Sequence, residues 1–493
     1  MTDLREEDFL GRTGDEILDY VKKQRWFGQK SLEPEHFGIL DIIPMDDNRT
    51  FFLVIARIGF SEKRDAMYSL PMRISVVRDQ ATMAQLYSDG KVRFVQDAFH
   101  DAEYARTLTL NMAYEKKFTG LHGSVVFHRT EFFSLPEFRT FATIRSEQSN
   151  SSSVVDSSMI MKNYRYLQDG ENPDVEMAMA LTLRTEFRNV PKPLGYAVYE
   201  GKGMKLFTTA VSEFLAGSTD GWTYYIGMFR SMIERMEDFQ SFRKEIYGLG
   251  EELGELTGKM HESLSSVDDD SFRPESMEFS DLEETVRGSI EYITLSFDLL
   301  RPLSGKNREY TDRIEKISRK GYLQDVAAGM LSGISVSELK RIRIHGDYHL
   351  GQILVWKDAF YIIDFEGEPL RSMTERRRKQ SPMKDLAGII RSMDYLVSHV
   401  VMETGNQRLT GEKDRLLKDL REIIIESYRK AFKGYWKILP GDHELFNLIL
   451  DLYILDKSSY ELLYEINNRP SWIEIPLIPV MGILESAGSR KDH

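Results

Sequence analysis

Between Arg341 and Pro369 the chain reads RIRIHGDYHLGQILVWKDAFYIIDFEGEP. RIRI and FYII are short runs with β-branched isoleucines, which predicts a pair of buried strands. The HGDYHLGQ that follows RIRI is then an ordered loop. It places Asp347 shortly before Gln352, and Asp364 falls just past the second strand. His345 and His349 share the i, i+4 spacing of a zinc-binding helix. Gly346 and Gly351 argue for a loop instead, and the glutamate of H-E-x-x-H is missing.

One carboxylate before an amide, with a second carboxylate after the next strand, is the layout of phosphoryl transfer in the protein-kinase class. The first carboxylate accepts the proton of the attacking hydroxyl. The amide and the second carboxylate hold magnesium on the nucleotide phosphates. Magnesium is a hard cation that takes oxygen ligands, which this segment supplies. The pattern H-R-D-x-x-x-x-N with D-F-G becomes H-G-D-x-x-x-x-Q with D-F-E here. Asp347 is therefore the expected catalytic base, with Gln352, Asp364 and the added Glu366 as metal ligands. His349 is expected on the substrate side and His345 as support for the loop.

Such a site needs a lysine on an upstream strand and a glutamate on the next helix. Lys162 ends the apolar run MIMK, and Glu176 follows in NPDVEMA near a helix start. A phosphate-covering loop is expected before Lys162. EQSNSSSVVDSS lies there without glycine, so Ser149, Ser151 and Ser152 are expected to offer hydroxyls and backbone N–H groups. GLGEELG at 248–254 sits on an acidic helical stretch whose carboxylates would repel phosphate.

The bulk numbers agree with a multidomain globular enzyme. The chain has 493 residues, 41% apolar and 29% charged, with a net charge of −13. That charge excludes the electrostatic footprint of a nucleic-acid binder. No cysteine is present, which excludes disulfides and thiolate chemistry. MTDLREEDFL is acidic and lacks an apolar core, so no signal peptide is expected. No apolar run approaches the roughly 18 residues of a membrane span, and the cytoplasm is the expected location.

The pattern along the chain predicts an α+β architecture. Residues 1–97 read as a helix followed by antiparallel strands. Residues 98–214 mix a helix near Ala102–Tyr114, strands around MIMKNY and MKLFTTAVSE, and a helix opening at Pro173. From about Asp220 the signal is helical: Leu249, Leu253, Leu256, Met260 and Leu264 form one stripe. Further helices are expected near 280–300, 310–332, 383–404, 412–434 and 443–468. RRRK at 376–379 reads as a solvated face, and Trp26 and Phe27 as core.

HGDYHLGQIL, DFEGEP, SPMKDLAGIIRSMDY and NNRPSW resemble the maltokinase family. That family lies in the aminoglycoside-phosphotransferase-like branch of the eukaryotic-type kinase fold. RWFGQKS is similar to the signature of its N-terminal cap, and EQSNSS and MKNYRYLQDGENPDVE to its ATP-binding lobe. The resemblance implies a bilobal protein-kinase-like fold: a cap subdomain over 1–97, an ATP-binding subdomain over 98–214, and a large helical C-lobe over 215–493. It implies ATP and Mg2+ as cofactors and maltose as substrate, giving maltose 1-phosphate for α-glucan (glycogen) synthesis. A functional link to trehalose synthase follows, as a monomer or weak dimer with no nucleic-acid or membrane partner. Glu213–Leu215 look like the adenine-binding hinge, and Asp385 resembles the aspartate that braces the catalytic loop. Relatives phosphorylate other sugars, including glucosamine, so a monosaccharide kinase is the alternative. A non-catalytic kinase-like binding protein is disfavoured, because no base or metal ligand has been lost.

The helix ILDLYILDKSSYELLYEINN places Tyr453, Lys457, Tyr460, Tyr464 and Asn468 near one stripe, flanked by Glu461 and Glu465. Aromatic faces suit pyranose rings and polar groups suit their hydroxyls. Lys457, Tyr460 and Glu461 are the expected sugar contacts.

Overall fold

The computed structural model describes residues 6–28, 32–60, 64–88, 90–144, 150–234, 239–301, 321–367 and 371–489. The chain divides into two compact units. The first holds 1–182, 190–217 and 369–376; the second holds 183–189, 218–368 and 377–493.

The first unit opens with helix α1 (Glu6–Lys22) and the strands β1 (Pro34–Pro44), β2 (Phe51–Phe60), β3 (Arg64–Ser75), β4 (Thr82–Ser88) and β5 (Lys91–Asp97). They form an antiparallel sheet of order β1-β2-β3-β5-β4. Ile17 and Val21 of α1 pack with Trp26 and Phe27 against Val54, Ala56, Ile58 and Tyr68, so the two aromatics are core as expected.

Helix α2 (Ala102–Ala113) leads into a second sheet. Its strands are β6 (Lys117–Thr119), β7 (Gly123–Arg129), β8 (Phe141–Ile144), β9 (Asn150–Val155) and β10 (Met159–Tyr164). After β11 (Tyr166–Leu167), which pairs with β3, come helix α3 (Pro173–Arg184), β12 (Pro193–Gly201) and β13 (Met204–Glu213). The order is β6-β7-β12-β13-β10-β9-β8, so the lysine strand β10 lies between β9 and β13. Arg165 fixes the turn after β10: it meets Asp97 at 2.9 Å with both side chains buried, and lies over the Trp26 ring at 4.9 Å.

The second unit is helical: α4 (Gly221–Glu234), α5 (Phe239–Ser266), α6 (Phe279–Leu300), α7 (Tyr322–Ser332), α8 (Met383–Thr404), α9 (Gln407–Ala431), α10 (His443–Asn468) and α11 (Glu474–Ser489). The leucine stripe of α5 is buried. α5 packs closely on α9, because a side chain at Gly254 would run into the Ile424 carbonyl and Ser427. Gly250 and Gly254 of GLGEELG are thus a helix-packing feature. Of the helix expected over 310–332, residues 310–320 lie outside the described residues.

RIRI does not pair with FYII. Only Lys340–Arg341 is extended as β16, and it pairs with β15 (Glu275–Ser276). The partner of FYII is the next run: β17 (Ile353–Trp356) and β18 (Ala359–Ile362) form a hairpin with Ile353 opposite Ile362, while β14 (Thr219–Asp220) pairs with the other edge of β17. The hairpin loop is Lys357-Asp358, with φ of 49° and 59°. Two left-handed residues give a turn whose twist matches the strands, and that local geometry outcompetes the longer-range pairing. RRRK is not simply a solvated face either. Arg378 pairs with Asp281 and Glu284, and Lys379, 7% exposed, donates to the Asp270 carbonyl at 2.7 Å.

Candidate active site

The loop HGDYHLGQ connects β16 to β17 and is held from behind by helix α8. The Asp385 carboxylate accepts the backbone N–H of His345 at 2.7 Å and that of Gly346 at 2.9 Å. His261 of α5 contacts the same carboxylate through Nε2 at 3.1 Å, and its Nδ1 meets the Tyr428 hydroxyl at 2.9 Å. Burial opposes ionisation of Asp385, but the His261 hydrogen bond, the neighbouring histidines and the Gly346 N–H together hold its carboxyl below the usual range. Gly388 lets α8 approach this closely: a Cβ there would lie 2.5 Å from the Tyr348 carbonyl. Ser392 of α8 accepts the Leu350 N–H at 3.0 Å.

His345 ties the loop to the segment after β18. Its Nδ1 accepts the Asp347 N–H at 3.3 Å, which leaves Nε2–H to donate to the Ile363 carbonyl at 2.9 Å. A neutral ring with the proton on Nε2 satisfies both bonds. The next residue, Asp364, has φ of +63°. Aspartate tolerates this left-handed backbone better than most residues. Gln352 donates its amide N–H to Asp364 Oδ2 at 3.2 Å, and Glu366 follows, half-buried. Gln352 keeps its amide oxygen, so the group offers carboxylate and amide oxygens with no sulfur or imidazole. That donor set fits Mg2+.

Asp347 itself faces outward, with its side chain 28% exposed. Lys457 of α10 reaches its Oδ1 at 3.4 Å, and His349 Nε2 lies 4.0 Å from its Oδ2. His349 Nδ1 accepts the Gly351 N–H at 3.0 Å, so the ring proton sits on Nε2, toward Asp347. Burial lowers the His349 pKa below the usual imidazole value, against the pull of Asp347.

These groups open into a cavity of about 510 Å³ lined by residues of β14, α4, α8, α10 and the catalytic loop, with Trp472 beyond α10. One wall is aromatic: Trp472 stacks near His399 at 4.9 Å and Tyr395 at 6.0 Å, with Trp222 at 6.4 Å. Behind it lies a buried charge network. Arg391, 1% exposed, binds Glu461 at 2.9 Å and Asp394 at 2.7 Å. The Glu465 carboxylate accepts from the Tyr395 hydroxyl at 3.1 Å and from Arg469 at 2.6 Å. Tyr460 lies at the rim, 48% exposed, edge-on to Tyr292.

In the first unit, Lys162 Nζ lies 3.4 Å from Asp174 Oδ2. The sequence reading pairs this lysine with Glu176. Asp174 stands at the second position of α3 and Glu176 in the same first turn. Ser151 and Ser152 are not in a phosphate-covering loop. Both belong to β9, where Arg165 Nε donates to Ser151 Oγ at 3.0 Å and Ser152 is fully buried. The alternating small residues of NSSSVV are simply a buried strand. Ser149 lies outside the described residues. Glu213 closes β13 and Leu215 is buried just beyond it. Tyr453, placed on the sugar stripe by spacing, points into the core at 6% exposure.

The structure brings Asp347, His349, Lys457, Tyr460 and Glu461 to one cavity. Sequence reasoning missed Trp222, Tyr395 and Trp472, although Trp472 sits in the NNRPSW motif. It also missed His261, whose partners are distant in sequence, and Arg391, whose partner Glu461 is as distant.

The chain has an α+β, bilobal protein-kinase-like fold. A solved glucosamine kinase in complex with glucosamine, ADP and inorganic phosphate superposes with a TM-score of 0.70 at 18% identity, over 98% of this chain and 100% of that one. A second crystal form of a glucosamine kinase gives 0.68 over 98% and 99% at the same identity. In sequence, the chain is 22% identical over 351 residues to a glucosamine kinase of Mycolicibacterium smegmatis, covering 70% of this chain and 80% of that protein. It is 22% identical over 341 residues to a glucosamine kinase of Streptacidiphilus jiangxiensis, covering 69% and 72%. No family model matches the chain. Among the described residues, no helix is long and apolar enough to cross a membrane.

Proposed function

We propose that this chain is a sugar kinase that transfers the γ-phosphoryl group of ATP to a hydroxyl of a monosaccharide, an amino sugar such as glucosamine. The observation that carries the reading is Asp347. A carboxylate on a doubly braced loop opens into a cavity walled by aromatic rings and carboxylates. Asp220, Asp347, Glu461 and Glu465 line it against two cations, Lys457 and Arg469. Arg391 neutralises Glu461 from behind the wall; the remaining carboxylates suit the hydroxyls and ammonium of an amino sugar, and the rings suit the apolar face of a pyranose. The names of the similar proteins support the same substrate class.

In this reading Asp347 takes the proton of the attacking hydroxyl through Oδ2, because Oδ1 faces Lys457. His349 presents its Nε2–H beside that oxygen and orients the hydroxyl. Residues 1–97 act as a cap subdomain, 98–214 bind nucleotide, and 215–493 carry the sugar site. Lys162 holds the nucleotide phosphates, with Asp174 and Glu176 to orient it, and Glu213–Leu215 receive the adenine. Gln352, Asp364 and Glu366 hold Mg2+, which when bound neutralises charge between the β- and γ-phosphates.

The second reading is maltose, phosphorylated at its anomeric hydroxyl to give maltose 1-phosphate. Tyr460 and Tyr464, 48% and 45% exposed, favour it by extending aromatic surface along α10 where a second ring would lie. ADP release measured over a panel of sugars, with phosphorus NMR of the product, separates the two. Glucosamine is expected to turn over fastest. A preference for maltose moves the second reading to first place, and no stimulation by any sugar overturns both.

The metal assignment has its own test. Gln352→Ala removes both the amide oxygen assigned to the metal and the N–H that orients the Asp364 carboxylate, so the loss is at least that of an outer hydrogen-bond partner. Outer hydrogen-bond partners of metal ligands are worth about 10–100-fold in metal affinity. The half-saturating Mg2+ concentration is expected to rise by at least that factor in a metal titration of the rate. An unchanged titration curve removes Gln352 from the metal site.

A further inference from the structure

We infer that Lys457 is a catalytic residue whose ammonium carries the transferring phosphoryl group, and not a contact for the sugar. This rests on the kinase reading above.

Phosphoryl transfer needs cations placed where charge sits in the transition state. The loop that bears the base, HGDYHLGQ, contains no lysine or arginine. Its histidines do not replace one. His345 uses both ring nitrogens to hold the loop, and His349 Nδ1 is taken by the Gly351 N–H. Beyond Lys162 and the metal assigned above, a cation beside the base must therefore come from elsewhere in the fold. Lys457 and Arg469 are the lysine and arginine side chains lining the cavity. Arg469 is committed: it binds Glu465 through Nη2 at 2.6 Å and covers the Trp472 ring at 4.4 Å. Arg391, behind the wall, is held by Glu461 and Asp394. Lys457 instead ends at the base, with Nζ 3.4 Å from Asp347 Oδ1 and its side chain 31% exposed to the cavity.

An ammonium at that distance from the base is within a few ångströms of the hydroxyl the base holds, and so of the phosphorus that hydroxyl attacks. An ammonium carries three N–H donors. The step balances as follows. The hydroxyl oxygen forms a bond to the γ-phosphorus and its proton passes to Asp347 Oδ2. The bond from the γ-phosphorus to the β–γ bridging oxygen breaks, and the electron pair leaves on ADP. Lys457 holds a non-bridging γ-oxygen throughout. Position 457 does this from α10, a helix remote in sequence from the catalytic loop, so the sugar wall and the phosphoryl clamp are built on one element.

Steady-state kinetics of Lys457→Met and Lys457→Arg against wild type test the assignment, with melting curves to verify folding. For Met, turnover is expected to fall by about 10²–10³-fold, the effect of removing one transition-state donor, while KM for glucosamine stays within about threefold. Arg, which keeps the charge, is expected to recover part of the loss. The ratio of rates with ATP and its γ-thio analogue is expected to shrink in Met, because the contact that senses the γ-oxygens is gone. An effect confined to the sugar KM overturns the inference and makes Lys457 a sugar contact. A lowered turnover with an unchanged thio ratio also overturns it, leaving a residue that only positions Asp347. If Met fails to fold, Lys457→Gln is measured in the same way. Wild-type protein that phosphorylates no sugar overturns the kinase reading itself, whereas active wild type with a fully active Met variant overturns this inference alone.

Discussion

Asp347→Asn is expected to lower turnover by about 10²–10⁴-fold while leaving nucleotide affinity unchanged. The size follows from the loss of general-base assistance. The substitution preserves shape, and the loop does not depend on the Asp347 side chain: its bracing runs through the backbone N–H groups of His345 and Gly346. Lys457 loses its ionic partner at Oδ1, but both groups are partly exposed, so the stability change is small. Single-turnover rates with glucosamine, beside ADP binding by calorimetry, separate the two quantities. A variant within about threefold of wild-type turnover removes Asp347 from the mechanism.

Asp385→Ala is expected to cost about 3–5 kcal/mol of stability, the usual consequence of removing one partner from a buried pair. Asp385 is 1% exposed and serves three donors: two backbone N–H groups of the catalytic loop and His261. Truncation leaves all three without an acceptor. Urea unfolding measures the loss. The carboxyl sits below the ordinary aspartate value in the folded state. Its contribution is therefore complete above the unfolded value, near pH 4, and is lost as pH falls through the folded one. The difference between wild type and Asp385→Ala is expected to be flat from neutral pH to about pH 5 and to narrow below pH 4. A variant within about 0.5 kcal/mol of wild type at pH 7 shows that the loop stands without this brace.

Much of the architecture was legible because it is periodic. The apolar stripe of α5, the recurring apolar positions of α8 and the opening Pro173 of α3 are local signals, and the structure places those helices where the spacing does. The HGDYHLGQ and DFEGEP segments likewise carried the order base, amide, second carboxylate in one short stretch. Two expectations failed where local sequence is ambiguous. RIRI and FYII are both good strand sequences, but pairing is decided by the turn available, and Lys357-Asp358 closes FYII onto ILVW. NSSSVV looked like a polar loop, yet its small hydroxyls fit a strand whose side chains are buried among other strands.

The particular sugar contacts show the same division. A stripe that takes in the buried Tyr453 could be read from spacing along α10, and the choice of Lys457, Tyr460 and Glu461 from the family resemblance. That Lys457 ends on Asp347, that Glu461 is neutralised by Arg391 and that Trp222, Tyr395 and Trp472 form the facing wall could not. By itself, the sequence determined the periodic helices of the second unit, such as α5, α8 and α10, and the order of carboxylate and amide residues in HGDYHLGQ and DFEGEP, because both depend on neighbours a few residues apart. The tertiary structure alone decided which cation meets Asp347 and which buried groups brace its loop. Those depend on side chains separated by scores to hundreds of residues, whose meeting is set by packing and by the cost of leaving a buried charge or N–H unpaired.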